Sequence, residues 1–256
     1  MIYRDDGKQF GGIVDSTEVD KFNKLSAEWW DPEGSFSPLH KINDVRLSYI
    51  SGTIARHFGK CCRGDGVWVP DLNGITALDV GCGGGLISEP IARLGAKVTG
   101  IDVGDRNIMV ASQHAKQSEL DIEYICGDCT SIRRGRKFDV VMSLEVVEHV
   151  LDPAVFISSC AERMACGGLI FISTINRSFK SFAGAIIAAE YILKWLPRRT
   201  HQWSRFITPD EMKNFLHCSG VKYIDIKGIV YDILRGGWKI SDYDTSINYI
   251  MVGTKL

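Results

Sequence analysis

The chain lacks several features that would place it in a functional class at once. Its formal net charge is −1 over 256 residues, with charged residues at 24%, so no surplus of either sign argues for a nucleic-acid partner. The opening Met1-Ile2-Tyr3-Arg4-Asp5-Asp6 has no apolar signal-peptide core, and its acids do not suit a transit peptide. A cytoplasmic location is the expectation. No apolar run is long and uninterrupted enough to span a bilayer, and no repeat or low-complexity stretch occurs. Cysteine is present eight times but without a framework. Cys61 and Cys62 are adjacent, and Cys126-x-x-Cys129 has no second pair at zinc-ribbon spacing. Cys82, Cys160 and Cys166 read as small apolar residues of a reducing compartment, the last two in a helical pattern. The length suits one α/β domain with decorations and a full core.

One dense motif is present. Ala77-Leu78-Asp79-Val80 reads as an apolar strand, Gly81-Cys82-Gly83-Gly84-Gly85 as a turn opening a helix, and Val98-Thr99-Gly100-Ile101-Asp102 as a second strand ending in an acid. Glycines let backbone approach a ligand, and the terminal acid can accept from both ribose hydroxyls of a nucleoside. The dinucleotide fingerprint G-x-G-x-x-G fails in both registers, because Leu86 and Ser88 stand where its last glycine or alanine belongs. A nicotinamide-dependent reductase is disfavoured on that ground.

The glycine spacing with Asp79 before it resembles the Rossmann-like S-adenosylmethionine-dependent methyltransferases. That resemblance implies a doubly wound sheet with one antiparallel strand near the C-terminus. It also implies cofactor contacts at Asp79 (the ammonium), Gly81, Gly83, Asp102 (the ribose), Asp128 (the adenine amine) and Leu144 (the methionine end). Arg46, in an upstream helix, is implied as a fork onto the cofactor carboxylate. The residues alone also allow Asp128 as a loop-turning acid and Arg46 as an exposed helical arginine.

Along the chain, residues 1–15 read as a frayed tail and 16–72 as a helical region, with helices from about Ser16 and from about Ile42 to His57. Residues 60–73 read as a link. The domain proper is expected over 73–256, with strands at 75–80, 96–101, 121–126, 138–143 and 168–174 and helices near 85–95, 105–119 and 153–166. Such alternation predicts a parallel, doubly wound sheet. Thr208-Pro209-Asp210-Glu211 is a helix start, with Thr at the N-cap, Pro at N1 and Glu at N3. Two strands, near 221–230 and 246–253, close the chain, and the methyltransferase resemblance implies a hairpin-like connection between them.

Glu145, Glu148 and His149 follow the fourth core strand at i, i+3 and i+4. On a helical turn they share one face. Two carboxylates and an imidazole suit Mg²⁺, Mn²⁺ or Zn²⁺, which would lower the pKa of a catechol hydroxyl. The same spacing suits a metal-free pocket in which His149 is a general base. Spacing leaves both open.

Beyond the cofactor motif, Thr17-Glu18-Val19-Asp20-Lys21-Phe22, Ala27-Glu28-Trp29-Trp30-Asp31 and Phe36-Ser37-Pro38-Leu39-His40-Lys41-Ile42-Asn43-x-x-Arg46 resemble the ubiquinone-biosynthesis O-methyltransferase family. So do Ser173-Thr174-Ile175-Asn176-Arg177-Ser178, Ala189-Glu190-Tyr191-Ile192-Leu193, Thr200-His201-x-Trp203-x-x-Phe206 and Asn248-Tyr249. The resemblance runs from about residue 16 to the end. It implies O-methylation of catechol-type polyprenylated intermediates at both methylation steps, and a divalent ion at Glu145, Glu148 and His149. Departures are Arg198-Arg199-Thr200, where relatives have Lys-Gly-Thr, and Cys126-Gly127-Asp128. The rival reading is a small-metabolite C- or N-methyltransferase without metal; a methyltransferase-like subunit without activity is a third.

A lid insertion is expected at about 177–205. Its uncharged run Phe182–Ala189, continued by Tyr191, Ile192, Leu193, Trp195 and Leu196 and flanked by Lys180, Lys194, Arg198 and Arg199, suits peripheral contact of 179–197 with the inner face of a membrane. It suits a buried helix over the site equally. A polyprenyl substrate favours the first, and a biosynthetic complex is a further possible partner.

Overall fold

Residues 15–64, 67–178, 181, 203–232 and 235–256 are described in a computed structural model of the chain. The N-terminal tail expected over 1–15 lies, except for Asp15, outside them. So does most of the expected lid, including all of 182–202.

The N-terminal region contributes α1 (Ser16–Leu25) and, after a short 3-10 turn, α2 (Ser37–His57). Asp15 caps α1 by accepting from the Thr17 amide. Helix α2 begins earlier than the pattern suggests, because Pro38 in its first turn leaves no backbone donor wanting. A hairpin follows, β1 (Cys61–Gly64) paired antiparallel with β2 (Val67–Pro70), where the sequence suggested only a link.

The core then alternates: β3 (Thr76–Val80), α3 (Ser88–Arg93), β4 (Lys97–Asp102), α4 (Asp105–Gln117), β5 (Glu123–Cys126), β6 (Phe138–Leu144), α5 (Pro153–Ala161) and β7 (Met164–Ile175). The C-terminal part holds α6 (Pro209–Cys218), β8 (Val221–Asp232), β9 (Gly237–Ser241) and β10 (Asn248–Lys255). The eight-stranded sheet has the order β5-β4-β3-β6-β7-β10-β8-β9. Strands β3 to β7 are mutually parallel, and β10 runs antiparallel between β7 and β8.

Period-two alternation explains why the central strands are largely apolar. Val140 and Met142 of β6 pack with Ile50, Ile54 and Ile91 on one face of the sheet. Val141 between them packs with Ile157, Met212 and Leu216 on the other. A parallel sheet covered on both sides needs apolar residues at every position. Among the described residues, no helix is long and apolar enough to cross a membrane.

Several expectations are corrected. The helix expected over 153–166 ends at Ala161, so Cys160 is helical and buried while Cys166 is exposed on β7. The last two strands are not a simple pair. The short edge strand β9 pairs with β8 antiparallel before the chain returns as β10.

Candidate functional site

A cavity of about 350 Å³ opens at the carboxyl ends of β3 to β7, where neighbouring strands leave in opposite directions. Gly81, Gly83, Asp102, Asp128, Leu144, Glu145, Glu148 and His149 all line it. The opposite wall comes from Glu18, Phe22, Trp29 and Phe36 of the N-terminal region. Asp79 and Arg46 are not in the lining: Asp79 precedes the lining residues Val80 and Gly81, and Arg46 lies against the lining residue Glu145.

Asp102 closes β4 and accepts three hydrogen bonds, from the amides of Gly83 (3.0 Å) and Gly104 (2.7 Å) and from Asn107 Nδ2 (3.1 Å). Burial pushes its carboxyl up, and these donors oppose that shift. Gly83 adopts φ +53°, and a Cβ there would stand 2.3 Å from the Trp29 ring, so only glycine fits beneath the indole. Asp128 Oδ1 accepts from the Thr130 amide and hydroxyl and caps the 3-10 turn Cys129–Ser131, while the residue also lines the cavity.

Arg46 is 2% exposed. Its Nη2 donates to Asn43 (2.9 Å), and Nη1 lies 3.5 Å from Glu145 Oε1. Its Nε and Nη1 are buried without a hydrogen-bond partner among the described residues. Burial lowers its pKa, against the attraction of Glu145 and Asp79. Asp79 accepts from Ser88 Oγ at 2.7 Å, and burial raises its pKa to about 6.

The shared helical face expected for Glu145, Glu148 and His149 is not formed. β6 runs on to Leu144, and the Glu145 amide donates to the Ser173 carbonyl at 3.0 Å, extending the pairing with β7. Glu145 then turns at φ +58°, and only Val147–His149 form a 3-10 turn. Glu145 is carried toward β7 and β10, where Oε1 accepts from Ser173 Oγ (2.7 Å) and both oxygens from Asn248 Nδ2 (3.2 Å). Glu148 is buried. Its Oε2 accepts from Thr174 Oγ1 (2.8 Å), Oε1 has no hydrogen-bond partner among the described residues, and burial with the nearby charge of Glu145 pushes its pKa up to about 7. His149 Nδ1 pairs with Glu18 at 2.8 Å. Burial disfavours the imidazolium, but Glu18 and the charge of Glu148 outweigh it and the pKa is raised. Among the described residues, no three His, Cys, Asp or Glu side chains converge as a metal site.

Glu18, Trp29, Asn107 and Asn248 also line the cavity. Sequence reasoning gave them no role, although three of them lie in the segments that carried the family resemblance.

A methyltransferase-domain family model matches residues 54–226. The ubiquinone biosynthesis O-methyltransferase of Azorhizobium caulinodans is 45% identical over 94% of this chain and 93% of its own length. That of Cereibacter sphaeroides is 46% identical over 94% and 97%. The fold is shared with the magnesium protoporphyrin IX methyltransferase of Synechocystis crystallised with S-adenosylhomocysteine (TM-score 0.64, 18% identity, 94% of this chain and 100% of that one). It is shared too with a possible histamine N-methyltransferase of Thermotoga maritima (TM-score 0.59, 14% identity, 93% and 99%). The chain is thus an S-adenosylmethionine-dependent methyltransferase and belongs to the ubiquinone biosynthesis O-methyltransferase family.

Proposed function

We propose that the protein O-methylates catechol-type polyprenylated intermediates of ubiquinone biosynthesis, at both O-methylation steps. The observation that carries this is a cavity that joins a nucleoside-type end (Gly81, Gly83, Asp102, Asp128) to an imidazole–carboxylate group in which His149 and Glu18 are half-buried and Glu148 is buried. S-adenosylmethionine supplies a methyl group on a sulfonium leaving group. In this reading Asp102 takes the ribose, Asp128 the adenine edge and Leu144 the methionine end. Arg46 takes the carboxylate: its buried Nε and Nη1 make no hydrogen bond among the described residues, although Nη1 lies 3.5 Å from Glu145, and such an anion would satisfy them. Asp79 supports the ammonium through the field it shares with Arg46. His149, oriented through Nδ1 by Glu18, takes the phenolic proton, so that an oxyanion faces the methyl carbon. The remaining catalysis is alignment of the two reacting atoms.

A divalent ion at Glu145, Glu148 and His149 is the finer part of the family resemblance. The donor types suit Mg²⁺, Mn²⁺ or Zn²⁺, and Glu148 Oε1 is buried and without a hydrogen bond among the described residues. Glu145 is nevertheless held by Ser173 and Asn248 and His149 by Glu18. The arrangement therefore does not fit an ion as it stands. The segment 179–197 is proposed, on sequence alone, to meet the polyprenyl tail at a lipid surface.

The test is methyl transfer from S-adenosylmethionine to a short-chain prenylated catechol, with and without chelator, on wild type and His149→Gln. Activity that survives chelation and falls at least about a hundredfold in the variant fits a general base. Activity lost to chelator and restored by a divalent ion would replace the base with a metal. Absence of transfer despite cofactor binding would overturn the substrate assignment and favour a small-metabolite acceptor.

A further inference from the structure

Trp29 and Asn107 lie 78 positions apart and meet in the cavity wall. Trp29 Nε1 donates to Asn107 Oδ1 at 2.9 Å, and Asn107 Nδ2 donates to Asp102 Oδ1 at 3.1 Å. Both residues are buried, at 7% and 3% exposure. An indole nitrogen can only donate, so Asn107 must turn its oxygen to Trp29 and its amino group to Asp102. Without that donor the amide is free to flip and set its oxygen against the carboxylate. The indole is itself fixed. It stacks on Phe36 with centroids 3.7 Å apart and planes 5° from parallel, and its other face rests on Gly83 and Gly84. A second tie, Asn23 Nδ2 to Asp105 Oδ1 at 3.1 Å, joins α1 to the same first turn of α4.

We propose that Trp29 and Asn107 are positioning residues for Asp102, so that docking of the N-terminal helices and recognition of the ligand's ribose hydroxyls are one coupled event. This deepens the reading of the cavity as a cofactor site and rests on it. A carboxylate offers about four acceptor positions. Protein donors fill three of those on Asp102, and their placement decides which direction remains for the ribose. Asn107 is also one of the donors that hold Asp102 in its charged form against burial. Trp29 touches neither the sulfonium nor the acceptor in this reading. Its effect passes through Asn107.

The experiment is calorimetric titration of S-adenosylhomocysteine and its 2′,3′-dideoxy analogue into wild type, Trp29→Phe, Asn107→Ala and the double variant. Phenylalanine keeps the stack on Phe36 and deletes only the N–H, and alanine is at home in α4. Each single variant should bind S-adenosylhomocysteine about tenfold more weakly, in line with one hydrogen bond to a charged group. The dideoxy analogue should be affected by less than about twofold, and the double variant should be no weaker than the worse single one. Equal weakening of both ligands, additive losses, or no loss would overturn the relay. Failure of wild type to bind S-adenosylhomocysteine would overturn the cofactor reading itself.

Discussion

At the scale of single residues, burial makes three carboxyls, Asp79, Asp102 and Glu148, reluctant to ionise. Asp79 is the clearest. It is 2% exposed, has Ser88 Oγ as its donor, and carries a pKa of about 6 against an ordinary 3.8. The folded protein holds this proton to higher pH than the unfolded chain does. Its contribution to stability is therefore full below about pH 4, falls as pH rises, and is gone above about pH 6. Asp79→Asn removes the titration while keeping an acceptor for Ser88. In ligand-free protein, the variant's unfolding free energy relative to wild type should rise by about 1 kcal/mol between about pH 5 and about pH 7.5. Urea unfolding at the two pH values measures it, and a difference independent of pH would show that Asp79 ionises normally in the fold.

At the scale of elements, local signals succeeded where a short stretch settles its own conformation. Helix α6 begins as its sequence announces. Thr208 Oγ1 accepts from the Glu211 amide (3.3 Å), and Glu211 Oε2 accepts from the Thr208 amide (2.8 Å). Thr208→Ala should cost about 1 kcal/mol of stability and leave the affinity for S-adenosylhomocysteine unchanged, since α6 does not line the cavity. Chemical denaturation beside a binding isotherm checks both halves; weakened binding would tie α6 to the site. The strand–glycine–strand–acid motif was legible for the same reason, since Gly81 to Gly85 and Asp102 answer local demands of turn and ligand. What sequence misread depended on partners far along the chain. Glu145 sits at helical spacing from Glu148 and His149, yet sheet pairing at Ser173 and donors from Ser173 and Asn248 take it out of that turn. Glu18 and Trp29 acquire their roles only when α1 and the following turn fold back over the strand ends. The edge strand β9 has five residues and one sheet neighbour, too little periodicity to be read.

At the scale of the whole molecule, Arg46 ties the N-terminal helices to the sheet. It belongs to α2, yet its surroundings are Glu145 after β6, Asp79 on β3 and, through Glu145, Asn248 at the start of β10. A buried cation facing one buried and one half-buried carboxyl is held by mutual compensation, and removing one member leaves charge without a partner. Arg46→Met keeps much of the apolar stem and should destabilise the ligand-free protein by about 3 kcal/mol at neutral pH, less at about pH 5, where Asp79 takes up its proton. The proposed role toward the cofactor carboxylate needs a separate readout. S-adenosylhomocysteine carries that carboxylate, and methylthioadenosine shares its nucleoside but lacks it. If Arg46 holds the carboxylate, the variant should bind S-adenosylhomocysteine at least about tenfold more weakly and methylthioadenosine nearly as wild type does. Thermal shifts should agree, with S-adenosylhomocysteine adding about 3 kcal/mol at a hundredfold excess over the wild-type Kd and, at the same concentration, about half of that or less in the variant. Equal loss for both ligands would make Arg46 a structural cation whose work is to keep α2 on the sheet, and the carboxylate would then have to be held by a residue that lines the cavity.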